Sequence, residues 1–357
     1  MMLDRVAEAV PYRIVEVSGT PYERGTAYGE AIKDMLPRFL KKEFYDRWCD
    51  GEKMRGFGGK CFEAMQRWTP KAAEFVRGFS DATGLSPEEL AMVQAHEEFV
   101  HGVPEPHCSV VGAGPTETST GRVYLGQNWD WRTSMNKFKL LFKQRTERGL
   151  RILTYAFGGL WSCAGMNSAG ITLCWTSAYH PKPELKGEAR EGVPTYAIIA
   201  EVLEEEKLED AVELVMSCPN AGWFIFSLAS AEGKLAKIEA SPESKALTYP
   251  RSFIATSGGS FQSDEVLSGL GWEDLPPFQP AAARLAQLLV AHSGKLSPEL
   301  LLRFLASHLP EDVKGSICEH GVGHATLDSM LFSPSEGRCW FVPGPPCRNR
   351  AFEKTVG

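Results

Sequence analysis

No run of about 18 consecutive apolar residues occurs in the 357-residue sequence, so no membrane-spanning helix is expected. Lys and Arg form no basic run and the formal net charge is −7, which excludes an extended nucleic-acid surface but leaves room for a locally basic pocket. The nine cysteines, at positions 49, 61, 108, 163, 174, 218, 318, 339 and 347, are odd in number and contain no CxxC pair. Neither a disulfide framework nor a zinc ribbon is expected from that pattern. Each thiol reads first as a small, reduced core residue. The opening residues, Met1 to Glu8, carry charges where a secretory signal needs an apolar stretch, and the expected location is cytoplasmic. There is no internal repeat and no low-complexity linker, so residues 1–357 are read as one domain, long enough for a well-buried core.

What is present falls into blocks. Thr20-Pro21-Tyr22-Glu23 and Ser86-Pro87-Glu88-Glu89 have the form of capping boxes, with Pro in the first helical turn. They predict helices from about 20 to 101, with Leu90, Val93 and Val100 on a buried face. Val103-Pro104-Glu105-Pro106 stops that block and forces an extended approach to His107. From Cys108 onward the chain reads as strands: 108–111 and 122–125 as a hairpin, then 138–142, 151–157, 170–176, 222–229, 234–240, 252–256, 326–332 and 338–342. Helices interrupt within 195–216 and 281–292 and after Ser297-Pro298-Glu299. Glu204-Glu205-Glu206 is read as a solvated helix face. Strand blocks alternating with helix pairs imply stacked sheets covered by helices, an α+β fold.

Cys108 is the one cysteine whose context suggests chemistry. A thiol with an ordinary pKa of about 8.5 needs a base or a lowered pKa to act at neutral pH. A neighbouring His could supply it. So could the α-amine of Cys108 itself, were the preceding peptide bond cut, since that amine is a built-in general base. Gly126-Gln127-Asn128-Trp129-Asp130-Trp131 ends the strand that would pair with that of Cys108, so Asp130 is placed to orient such an amine. An Asx turn at Asn128 and Asp130 is the structural alternative.

His107-Cys108-Ser109 followed by Gly126 to Trp131 resembles the processing-site region of the acyl-CoA:6-aminopenicillanate (isopenicillin N) acyltransferase family, autoproteolytic cysteine hydrolases of the N-terminal nucleophile (Ntn) class. Gly19-Thr20-Pro21-Tyr22-Glu23-Arg24-Gly25, Gly165-Met166-Asn167-Ser168-Ala169-Gly170-Ile171 and Gly192-Val193-Pro194 resemble further family motifs in the same order. The resemblance implies a four-layer αββα Ntn sandwich, cut between His107 and Cys108 into chains 1–107 and 108–357. It also implies thioester catalysis at Cys108, with Asp130 orienting the amine.

The sequence departs from the family at four places. His107 stands where a small residue is usual. Ser257 stands at the oxyanion-supporting Asn, Thr176 near a second Asn, and Glu319 at an Arg. Ser257 is kept as a catalytic candidate; Thr176, Glu319, Trp129 and Trp131 are candidate substrate contacts. Trp161, Trp175 and Trp223 read mainly as core. A carboxylate at 319 would repel an anionic amine component, so the expected reaction is on a small N-acyl amide or peptide with a neutral or cationic amine side. No cofactor or metal is expected, and homo-oligomerisation is left open. Three alternatives stand beside this reading. A papain-like enzyme would pair Cys108 with His320 or His324 and start a helix at the cysteine. A metal site would use Cys318, Glu319, His320 and His324. A binding protein would keep the fold, stay uncut and lack activity.

Overall fold

Both capping boxes form in the structure, a computed structural model that describes residues 12–46, 51–100, 108–178, 191–258, 261–269, 280–310 and 316–357. The Thr20 hydroxyl accepts from the Glu23 N–H while the Glu23 carboxylate accepts from the Thr20 N–H, opening α1 (Pro21–Ile32). Ser86 and Glu89 do the same for α5 (Pro87–Gln94). The expected helical block is α1, α2 (Leu36–Leu40), α3 (Gly51–Trp68), α4 (Pro70–Thr83), α5 and α6 (His96–Val100). Leu90 and Val93 are buried in α5, as its periodicity predicts. The proline-broken approach 103–107, including His107, lies outside the described residues, as does the side chain of Val100.

The Gly19–Gly25 motif has a mechanical role. Gly25 of α1 and Gly78 of α4 let two helix backbones touch: a Cβ on Gly25 would sit 2.0 Å from the Phe75 carbonyl oxygen, and one on Gly78 2.0 Å from that of Tyr22. Arg24, 1% exposed, donates to Gln144 at 2.7 Å and pairs with Glu204 at 2.5 Å. This corrects the reading of Glu204-Glu205-Glu206 as a solvated helix face. The run follows α7 (Thr195–Val202) and precedes α8 (Leu208–Ser217), and Glu204 is the countercharge of a buried arginine.

An eight-stranded sheet is ordered β1 (Arg13–Gly19), β4 (Lys139–Thr146), β5 (Arg151–Phe157), β6 (Leu160–Asn167), β7 (Thr172–Ser177), β8 (Phe224–Ala229), β9 (Leu235–Ala240) and β10 (Lys245–Thr248). A six-stranded sheet is ordered β11 (Phe253–Ser257), β2 (Ser109–Ala113), β3 (Tyr124–Arg132), β12 (His324–Ser333), β13 (Arg338–Pro343) and β14 (Phe352–Thr355). Among the described residues, the pairings between these strands are antiparallel except β1 with β4. Strands β1, β6, β10 and β14 are additions to the sequence reading. β1, β10 and β14 sit at sheet edges, where a strand lacks the buried-both-faces pattern that marks its neighbours, whereas β6 is a buried interior strand.

The two sheets face each other through β2 and β3 on one side and β7 and β8 on the other. Helices α1, α7 and α8 cover the larger sheet and α9 (Asp264–Gly269) lies against its β10 edge, while α10 (Pro280–Ala291) and α11 (Pro298–Leu305) cover the smaller. The fold is thus an α+β sandwich with helix, sheet, sheet and helix layers, as expected. The turn at Asn167 ties the layers together. Its side-chain oxygen accepts from the N–H groups of Ala169 and Ile171, both at 3.0 Å, and its amide donates to the Leu203 and Glu205 carbonyls at 2.9 and 2.7 Å. Gly170 completes that turn at φ +85°, a conformation open to glycine.

Candidate active site

The hairpin that carries the site is in the predicted place: β2 pairs antiparallel with β3, Ser109 opposite Asn128. Cys108 immediately precedes β2 as a free, half-buried thiol. Its carbonyl accepts from the Gly258 N–H at 2.9 Å, which fastens it to the end of β11. Side chains alternate along a strand, and the two cores on either side of this sheet show which way each points. Val110 packs in the main core and Val111 in the core under α10 and α11; Cys108 packs with the main core. The thiol therefore shares the inter-sheet side with Val110, and Ser109 faces the helices. The chain enters a strand at the cysteine, not the helix that a papain-like arrangement requires.

Asp130 lies next to the thiol. Burial pushes the Cys108 thiol well above its ordinary value, and the negative charge of Asp130 adds to the shift. The Asp130 N–H and the Gln127 amide act the other way, and burial prevails. Gln127 is held by accepting from the Trp175 N–H of β7 at 3.0 Å, a bond that crosses between the sheets. The Asp130 carboxylate is itself raised, first by burial and further by the charge of Glu319; the Thr326 hydroxyl opposes this by donating to Oδ1. Its second oxygen, Oδ2, is buried with no hydrogen-bond partner. An Asx turn is not what this residue makes: it stands inside β3, opposite Thr326 of β12.

The other predicted residues are distributed as follows. Ser257 sits opposite Ser109, hence on the face that Asn128 turns to the helices, where the Asn128 amide donates to the Leu305 and Ile317 carbonyls at 2.7 Å each. Its neighbour Thr256 lies opposite Val110, on the thiol's face, with its hydroxyl buried and without a partner. Thr176 in β7 is buried with an equally unpartnered hydroxyl. Glu319 is half-buried, its carboxyl raised by burial, and its N–H donates to Thr326 at 2.8 Å. Trp129 and Trp131 are 2% and 6% exposed and form the aromatic packing between the sheets. Trp129 meets Trp175 with ring centroids 5.6 Å apart, and Trp131 meets Phe157 at 4.8 Å. Trp161, Trp175 and Trp223 are buried as well.

Gln127 and Thr326 are polar neighbours of the site that the sequence reading does not single out. Gln127 carries a signal, because it alternates with Trp129 and Trp131 onto the thiol's face. Thr326 carries none, being 196 residues from Asp130 and brought to it only by strand pairing. The metal-ligand spacing at Cys318 to His324 is also revised. His320 converges with His308, Cys318 and Cys347, and His324 is not among them.

Among the described residues, no helix is long and apolar enough to cross a membrane. No curated protein matches the chain. Among solved structures, a mutant of the conjugated bile acid hydrolase from Clostridium perfringens aligns at 12% identity and TM-score 0.43, covering 69% of this chain and 92% of that one. Penicillin V acylase from Agrobacterium tumefaciens aligns at 15% identity and TM-score 0.44, covering 70% and 86%. Residues 116–256 match the family model described as acyl-coenzyme A:6-aminopenicillanic acid acyl-transferase. That segment includes Asp130, the Asn167 turn and Thr176, and it begins after Cys108. Over this segment the chain is similar to the acyl-coenzyme A:6-aminopenicillanic acid acyl-transferase family.

Proposed function

We propose that this protein is an Ntn-type cysteine amidohydrolase or acyltransferase that activates itself by cutting before Cys108, yielding chains 1–107 and 108–357. One observation carries the reading: beside the thiol, Asp130 holds one carboxylate oxygen on Thr326 and keeps the other buried and unpartnered. A buried carboxylate oxygen without a donor is costly, and an ammonium group one residue's reach from the thiol would satisfy it. The α-amine of Cys108, once freed, is such a group.

The chemistry balances in two steps. The Cys108 sulfur adds to the His107 carbonyl carbon, its proton passes to the amide nitrogen, and the C–N bond breaks to leave a thioester. Water then hydrolyses the thioester, releasing residue 107 as a carboxylate and regenerating the thiol with a free amine beside it. In the mature enzyme that amine takes the thiol proton as sulfur attacks the substrate carbonyl and returns it to the leaving amine. Burial holds the thiol high before the cut, and the amine freed by the cut would supply the base it lacks. Ser257 or its neighbour Thr256 would steady the developing oxyanion. Thr176, Glu319 and the apolar faces of Trp129 and Trp131 would contact the substrate, a small N-acyl amide whose amine side is neutral or cationic.

Intact-mass measurement tests this directly. Wild type should resolve into chains ending at His107 and beginning at Cys108, and Cys108→Ala should remain a single chain. A wild-type protein that stays uncut on prolonged incubation and turns over no acyl amide would leave the fold as a binding scaffold.

A further inference from the structure

Four side chains from three separate loops meet at one point on the helix-covered side of the smaller sheet. His308 follows α11, Cys318 and His320 precede β12, and Cys347 follows β13. One ligand atom from each lies within 4.8 Å of all the others. His320 Nε2 is 3.0 Å from His308 Nε2, 3.5 Å from Cys318 Sγ and 3.1 Å from Cys347 Sγ. Hydrogen bonding does not account for that convergence. An imidazole nitrogen carries either one proton or one lone pair, directed along one axis, and cannot serve three partners at once. A shared cation can.

We propose that His308, Cys318, His320 and Cys347 form a structural zinc(II) site. With Zn–N near 2.0 Å and Zn–S near 2.3 Å, a tetrahedral centre has ligand–ligand edges of about 3.3–3.8 Å. The three edges above fall within about half an ångström of that range. Two thiolates and two imidazoles suit zinc over calcium or magnesium, which take oxygen ligands. Four protein ligands leave no open position, so the role is to hold structure and not to activate water. The sequence conceals the set, because its members span 308 to 347 and no two of the cysteines stand in a CxxC pair.

The site also has a defined reach. The Cys318 N–H donates to the Ser307 carbonyl at 3.1 Å, so the two loops are already joined where the ligands leave them. Glu319, between two of the ligands, donates its N–H to Thr326, whose hydroxyl donates to Asp130. The Asn128 amide spans the carbonyls of Leu305 and Ile317, just ahead of His308 and Cys318. Zinc would therefore fix the loop that supports Thr326 and Asp130 from the side away from the thiol.

The test uses full-length protein purified without a metal-binding tag and dialysed against metal-free buffer. Elemental analysis should find about one zinc per chain, as a closed four-ligand site retains its metal. Cys347→Ser and His308→Ala should each reduce that to a small fraction. Chelator-stripped wild type given Co(II) should show the intense visible bands of a tetrahedral dithiolate complex, lost in Cys347→Ser. Two results would overturn the proposal. One is folded wild type that carries no zinc and gives no such bands. The other is a disulfide-linked peptide pair containing Cys318 and Cys347.

Discussion

Replacing Thr326 with Val removes one hydroxyl and, by the geometry, two hydrogen bonds. The hydroxyl donates to Asp130 Oδ1 and accepts from the Glu319 N–H at 2.8 Å, and both Thr326 and Asp130 are buried. Hydrogen bonds to charged groups contribute about 1.5–3 kcal/mol each, and one pKa unit corresponds to about 1.4 kcal/mol. Losing the Thr326 donor should therefore raise the Asp130 carboxyl by about 1–2 pH units beyond its already raised position. If ionised Asp130 orients the amine, the acid limb of the pH–kcat/KM profile should move up by that amount. Thr326→Ser should keep it in place. The stability effect has a fixed sign. A carboxyl raised in the folded state favours folding when protonated and costs stability as pH rises through its folded pKa. The destabilisation of Thr326→Val should accordingly be largest above that pKa and shrink below it. Denaturant titrations at several pH values, read beside the rate profiles, check both limbs. An unmoved acid limb in a folded Thr326→Val enzyme, with a pH-independent loss of stability, would show that Thr326 merely packs and that Asp130 does not govern turnover.

Asp130→Asn should fold but lose roughly two or more orders of magnitude in kcat, the scale of a lost acid–base partner, in steady-state assays on pre-processed enzyme. Glu319→Gln should shift preference toward anionic amine components in a panel of acyl amides that differ only in amine-side charge; an unchanged preference would place 319 outside the substrate's reach. Lys139→Met should cost about 3–5 kcal/mol in equilibrium unfolding near neutral pH, because it strands a buried Asp328 carboxylate. Lys139 Nζ stands 2.9 Å from Asp328 Oδ1 with both side chains fully buried, and the penalty should fall at acid pH as Asp328 protonates.

Local signals in the sequence suffice wherever the physics is local. A capping box involves residues three apart, and both boxes form with the expected partners. The hairpin of β2 and β3 is readable because its strands are separated by one polar turn, and that hairpin places Asp130 beside Cys108. Legibility ends where partners are distant. The parallel mate of β1 lies more than a hundred residues away, Glu204 finds Arg24 across 180 residues, and Thr326 reaches Asp130 across 196. Charge runs and single hydroxyls carry no mark of such partners. The four-ligand cluster is hidden for the same reason: adjacency in the sequence suggests His324 as a ligand, whereas the fold supplies His308 and Cys347.

The motifs that carry the family resemblance divide between two jobs, and the division limits what the resemblance can say about substrate. Gly19–Gly25 docks α1 on α4 and seats Arg24; Gly165–Ile171 builds the Asn167 turn that pins the loop between α7 and α8. Both are requirements of the scaffold and would be met whatever the enzyme acts on. Of the quoted motifs with described side chains, the Gly126–Trp131 segment alone reaches the thiol, and it does so through Gln127 and the Asp130 N–H. On the proposed function these groups would handle the thiol's protons and position, steps common to any acyl group. On that reading substrate choice would be set by side chains outside the motifs, around Thr176, Thr256 and Glu319. Two of these, Thr176 and Glu319, are places where this sequence departs from the family. The match to the family model over 116–256 thus bears on the reaction type, while on the proposed function the identity of the amine would depend on the charge at position 319.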